Sequence, residues 1–200
     1  RRSPSWRDPL LYHVSIFGRP APTGAWALRV EGHHLSINVT VRDGRIVSTT
    51  PLFFGASPSA VRSGRRSGLR PLRDEEVRAR ALVEALPTDV RARVVVSRIA
   101  PADVRLGPNR AARLTGQGVL VPALPADAQA SLKSLVRVWI SSARASVADA
   151  TYQAIDWKQA RFVWLGSLRP GQAHSYRFEC PTLMLEYVNR GDHIHAVWRS

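Results

Sequence analysis

Apolar and polar positions alternate towards both ends of the chain and recur at helical spacing between them. Leu11 to Phe17 opens a strand-like zone over residues 10–55, which Gly18-Arg19-Pro20-Ala21-Pro22 interrupts. Alternation resumes from Trp26 to Val41, and Asp43-Gly44 predicts a hairpin turn leading to Ile46 and Val47. Residues 74–157 read as mainly helical. Val77, Ala81, Leu82, Ala85 and Leu86 form one apolar face behind the acidic start Asp74-Glu75-Glu76. Leu132, Leu135, Val136, Trp139 and Ala143 form another, entered through Pro125 and Asp127. Residues 160–199 return to strands at Phe162–Leu165, Tyr176–Cys180, Leu183–Val188 and His193–Trp198. This order predicts a single α+β domain over residues 1–200. Its antiparallel β-sheet, or barrel-like sheet, is built from N- and C-terminal strands, with the central helical segment packed against it.

The first zone changes phase. Apolar residues hold even positions at Trp26, Leu28 and Val30, and odd ones beyond Gly32 at Leu35, Ile37, Val39 and Val41. A phase change at a glycine reads as a β-bulge, a device that re-aims side chains. On that reading Glu31, His34, Ser36 and Asn38 share a polar face, and His33 joins the apolar one.

Two loop-like segments separate the zones. Pro51 to Pro71 carries Arg62, Arg65, Arg66 and Arg70, with Arg73 just beyond, and reads as a solvated basic loop or one closing over an anionic substrate. Its glycines match no phosphate-binding fingerprint. Residues 100–124 offer only turn residues: Pro101, Gly107, Pro108, Gly116 and Gly118.

Basic residues outnumber acidic ones 29 to 15, a formal charge of +14, and all but two of the 29 are arginine. That surplus invites anions. The aromatics fall on core parities rather than among the arginines, so nucleic acid ranks below a small, anionic substrate as partner. Cys180 is the single cysteine, which excludes a disulfide framework and a cysteine-based zinc knuckle. With no apolar run near the ~18 residues of a membrane span, the chain reads as soluble. Its first residues lack the apolar core of a secretory leader, so a cytoplasmic location is expected ahead of export with a leader removed.

Candidate chemistry concentrates in the histidines. Four of the six lie in two clusters, His33-His34 and His193-Ile194-His195. Strand residues two apart share a face, so His193 and His195 project together while Ile194, Ala196 and Trp198 turn to the core. A hairpin turning over Arg190-Gly191 would pair Asn189 with Asp192, Val188 with His193 and Glu186 with His195. Directly opposed Cβ atoms stand ~4.5–5.5 Å apart, so Glu186, His193 and His195 would reach one ion. Two imidazoles and a carboxylate are also the facial set of non-haem iron. His34 would add a ligand if the polar face lines the site, His33 if the apolar one does. His13 and His174 lack such company and read as structural or exposed. No serine sits in a nucleophile-elbow pattern.

At these residues a resemblance becomes specific. Trp26 to Asn38, with Gly32-His33-His34-Leu35-Ser36, resembles the W-x-W-x-x-x-G-H-H-L-S-x-N motif of the domain-of-unknown-function family 3500 (DUF3500), with Leu28 in place of the second tryptophan. Thr50 to Ala56 is similar to its P-x-F-x-G-A element, and Phe162 to Gly166 to its F-x-W-x-G strand. Tyr176-Arg177, Glu186-Tyr187-Val188-Asn189 and His193 to Arg199 resemble its remaining motifs, so the likeness spans nearly the whole chain. It implies that the Gly-His-His, Glu-Tyr and His-x-His elements belong to one site. It also implies an acidic continuation with a further histidine beyond Arg199, which a chain ending at Ser200 would lack.

Together these readings predict a metal-dependent enzyme, an oxidoreductase holding one transition metal ion, iron or copper ahead of zinc. Glu186, His193, His195 and one of His33 or His34 are the expected ligands. Asn38, Tyr187 or Arg177 would orient them, and Arg199 would pair with an anionic substrate. The alternative is a zinc-dependent hydrolase at the same residues, with Glu31 or Glu186 as general base. A third reading is a non-enzymatic metal- or nucleic-acid-binding protein.

Overall fold

A computed structural model describes residues 8, 10–105 and 117–200. The chain enters through β1 (His13–Phe17), β2 (Ala25–Gly32), β3 (Leu35–Arg42), β4 (Arg45–Ser48) and β5 (Leu52–Ala56). Helices α1 (Arg73–Ala85) and α2 (Thr88–Val94) follow, then the short strands β6 (Val95–Ser97) and β7 (Val119–Leu120). After α3 (Ala126–Ile140) and α4 (Ala145–Gln153) come β8 (Arg161–Gly166), β9 (His174–Cys180), β10 (Leu183–Asn189) and β11 (Ile194–Arg199). An α+β fold results, as its sequence predicts. The middle zone is not wholly helical, since β6 and β7 both pair with β8.

One open sheet runs in the order β1-β2-β3-β5-β11-β10-β9-β8-β6, with β4 on β3 and β7 on β8. Every pairing is antiparallel except β6 with β8. The two terminal zones therefore share a sheet without closing a barrel. Their joint is β5, which pairs with β3 through Leu52–Phe54 and with β11 through Leu52–Ala56. Short and embedded in a segment that reads as loop, β5 is placed by its two partners rather than by its own pattern.

The phase change at Gly32 is a hairpin, not a bulge. Gly32 pairs with Leu35, and His33-His34 form the two-residue turn between β2 and β3. That pairing sets even residues of β2 opposite odd residues of β3: Trp26 on Val41, Leu28 on Val39, Val30 on Ile37. Folding back through a two-residue turn keeps one face apolar only if the apolar parity switches. The Asp43-Gly44 turn forms as expected, with φ of 50° and 71° suited to a primed hairpin turn.

The helices cover one face of the sheet. Phe162, Trp164, Tyr176, Phe178, Leu185, Tyr187, Ile194 and Trp198 bury there against Leu82, Val83, Leu132, Leu135, Val136 and Trp139. Helix α3 buries the stripe its sequence predicts. The α1 stripe is buried only in part: Leu82 and Leu86 are buried, but Val77 is 36% exposed and Ala81 and Ala85 face solvent, while Glu76, Ala79, Arg80 and Val83 are buried in their place. The cause is an ion pair, Arg80 to Glu76 at 2.7 Å, set against the buried His174 ring. His174 stacks on Trp164, ring centroids 4.9 Å apart. Its Nδ1 lies 2.9 Å from the Gln172 carbonyl, and burial, more than neighbouring Arg80, lowers its pKa. Among the described residues, no helix is long and apolar enough to cross a membrane.

Candidate metal centre

The other face of the sheet carries His33, His34, His193 and His195. His34, in the β2–β3 turn, is fixed by its backbone: its carbonyl accepts the Gly55 N–H at 2.9 Å. Gly55 in turn lies opposite His195 on β11. The His34 ring rests on Gly55, where a Cβ would come within 2.6 Å of Cδ2 and 2.9 Å of Cγ, and 3.1 Å from His195 Cδ2. Glycine is needed here for space. His33 stacks behind His34 with ring centroids 4.1 Å apart.

His193 and His195 come from the β10–β11 connection. Asn189 pairs with Ile194, leaving a four-residue loop of Arg190 to His193, closed by Arg190 N–H on the His193 carbonyl at 2.9 Å. Two side chains lengthen this loop beyond the expected two residues. The Asn189 side-chain oxygen accepts Gly191 N–H at 2.8 Å, and Gly191 takes φ +95°. Asp192 is held by the Ser59 backbone N–H and hydroxyl, both at 3.0 Å, and by Arg62 at 3.4 Å. So an arginine of the basic loop docks on the turn that carries His193.

Three imidazoles converge. One ring nitrogen from each of His34, His193 and His195 lies within 4.8 Å of the others. His34 Nε2 and His193 Nε2 are 2.8 Å apart, so a single proton joins them as an N–H···N hydrogen bond. His195 Nδ1 meets Asp103 Oδ1 at 2.5 Å, and His195 Nε2 is buried without a hydrogen-bond partner. Asp103 thereby accepts the proton of Nδ1. This carboxylate–histidine brace is the usual support of a metal-ligating imidazole. A cavity of about 30 Å³ lined by Ala102, Asp103, Val188, Arg190, His193 and His195 adjoins it, room for about one water.

Glu186 is not in the group, and its expected register needs correction. It faces Arg177 on β9 and Val197 on β11, while Val188 faces His195. The longer loop displaces the pairing by two residues, which preserves the face but moves Glu186 about 7 Å along the strand. There its carboxylate accepts Arg177 Nη2 at 2.8 Å and the Arg105 backbone N–H at 2.9 Å. Of His33 and His34, it is His34 that joins the group. Glu31 sits between Ser36 and His13 in the ladder, half exposed and 3.7 Å from Arg29, away from the imidazoles. Arg199 donates to the Arg105 carbonyl, and burial beside Arg177, against the pull of Glu186, lowers its pKa. Asn38 binds the Pro51 carbonyl at 2.7 Å, and the Tyr187 hydroxyl turns to the core beside Glu76 at 3.4 Å. Neither is hydrogen-bonded to His34, His193 or His195.

The residues that sequence reasoning misses are Asp103 and Gly55. Asp103 precedes His195 by 92 positions, in a stretch without periodicity. It is held there by Val104, 3% exposed against Val188, Val197 and Phe53, and by the Arg105 contacts just described. Gly55 lies in the P-x-F-x-G-A element, which marked it without giving its role.

Comparison with known proteins yields one match. A family model described as a protein of unknown function, DUF3500, covers residues 5–200. No curated protein and no solved structure matches the chain.

Proposed function

The chain belongs to the DUF3500 family, and from its own residues we propose that it is a metal-dependent enzyme whose single ion is held by His34, His193 and His195. The observation that carries this reading is the convergence of three imidazoles, one of them braced by Asp103 with its other ring nitrogen buried and unpaired. Leaving such a nitrogen unpaired costs about 1–3 kcal/mol, which an ion bound there would offset. Trp164 and Trp198 also bury an unpaired ring nitrogen, so it is the convergence of three imidazoles that points to a metal.

With Glu186 engaged by Arg177, the donors are three neutral imidazoles, the composition of an open catalytic zinc site. Zinc there would acidify a bound water towards a pKa of about 7 and supply a hydrolytic nucleophile. Asp103 braces His195 through Nδ1, and Gly55 lets His34 approach. Arg190, which lines the small cavity with His193 and His195, takes the place expected of Arg199 as partner for a small anionic substrate. A copper or iron oxidoreductase is the second reading. It rests on the same three imidazoles, which suit copper and iron as well as zinc.

Elemental analysis of untagged protein beside His34→Ala and His195→Ala variants tests both. About one equivalent of zinc, copper or iron, lost in the variants, supports the centre and chooses the chemistry. A folded protein that takes up none of the three when supplied with each would overturn it.

A further inference from the structure

A cavity of about 210 Å³ lies on the opposite face of the sheet, between β5–β11 and helices α1 and α3. Phe54, Trp139 and Trp198 line it with Leu52 and Leu72, and one acid, Glu75, stands among them. The acids on either side of Glu75 are paired. Asp74 holds Arg73 at 3.1 Å, and Glu76 holds Arg80 at 2.7 Å and Arg70 at 3.2 Å. In a chain of formal charge +14, the Glu75 carboxylate forms no ion pair with any described residue. Trp198 Nε1 is buried without a hydrogen-bond partner, whereas the polar groups of Trp139, Tyr176 and Ser142 are satisfied within the protein. Trp139 Nε1 donates to the Tyr176 hydroxyl at 2.8 Å, Tyr176 to the Glu75 carbonyl at 2.8 Å, and Ser142 to the Trp139 carbonyl at 2.8 Å.

Aromatic walls with one uncompensated carboxylate attract a particular ligand. Ring faces carry negative potential and draw weakly hydrated cations, and a carboxylate supplies the counter-charge. We propose that this cavity binds a small organic cation, an alkylammonium or methylated ammonium group, among Phe54, Trp139 and Trp198 with Glu75 as counter-ion. A cavity of about 150 Å³ accepts benzene, so this one has room for a cation of up to about eight non-hydrogen atoms. Burial raises the Glu75 pKa despite its place in the first turn of α1, and a bound cation would offset that cost. The site is separate from the imidazole group and does not rest on a metal there.

The probe is choline, measured by calorimetry on the full chain. Its comparator is the uncharged isostere in which a tert-butyl group replaces trimethylammonium. Saturable choline binding is expected in the millimolar range or tighter, with the isostere about tenfold or more weaker. Glu75→Gln should weaken choline binding severalfold while leaving the isostere unchanged. Equal binding of the two by the native protein, or no binding of choline, would overturn the proposal. That comparison needs no variant, so it holds even if Glu75→Gln folds poorly. Choline binding undiminished in a folded Glu75→Gln protein would also overturn it.

Discussion

Replacing Gly55 with alanine should damage the imidazole group through a single methyl. Elsewhere in a strand the change would help by about 0.4–1 kcal/mol, since alanine narrows the unfolded ensemble. Here the new Cβ would lie 2.6 Å from His34 Cδ2 and 2.9 Å from Cγ. Contact with Cγ cannot be relieved at the ring tip; the whole side chain must swing. His33, stacked 4.1 Å away, and His193, 2.8 Å from its Nε2, restrict that swing. Overpacking of this kind costs about 1–3 kcal/mol. At this chain length that lowers Tm by about 2–12 °C. Displacing one ligand should weaken metal binding about 10–100-fold, by analogy with loss of a supporting contact. Thermal unfolding and chelator competition read the two effects. A double-mutant cycle isolates the cause: in a His34→Ala background, Gly55→Ala should become neutral or stabilising. If Gly55→Ala melts and binds like the parent, or destabilises equally without the His34 ring, the reasoning is wrong.

Asp103→Asn should weaken metal binding about 10–100-fold while leaving secondary structure intact by circular dichroism, because only the His195 brace is lost. Glu186→Gln should keep the full metal content yet lower stability by about 3–5 kcal/mol in denaturant unfolding, since Arg177 would be left buried without its closest partner. A metal content that falls with Glu186 would restore it as a ligand. His174 is held neutral, its pKa lowered from 6.5, so the unfolded chain takes up its proton first as pH falls. Stability should therefore decline below about pH 6.5, by up to about 1.4 kcal/mol per pH unit from this residue. His174→Gln should show a shallower decline over the same range.

Strand faces and the two histidine clusters were legible because alternation depends on neighbours in the chain. Register was not, because it depended on how Asn189 and Asp192 lengthen a loop. The exchange of bulge for hairpin at Gly32 has a similar origin: parity reports that the chain changes face relation, not whether it turns back. Part of the buried face of α1 escaped the pattern because Glu76 and Arg80 pair with each other beneath it. Asp103 could not be found from periodicity, since a loop residue acquires its role only when the strand it crosses is in place. Helix α3, whose buried residues are all apolar, was read correctly.

The turn that carries His34 and the loop that carries His193 are separated by 159 positions. At about 5–20 residues per second, a ribosome leaves an interval of about 8–32 s between them. Throughout that time the emerging chain can present His33 and His34 but not the trio. Only when β11 has been made and threaded between β5 and β10 do the three rings meet. The order of synthesis thus delays the group: the proposed ion could meet all three imidazoles only once β11 is in place.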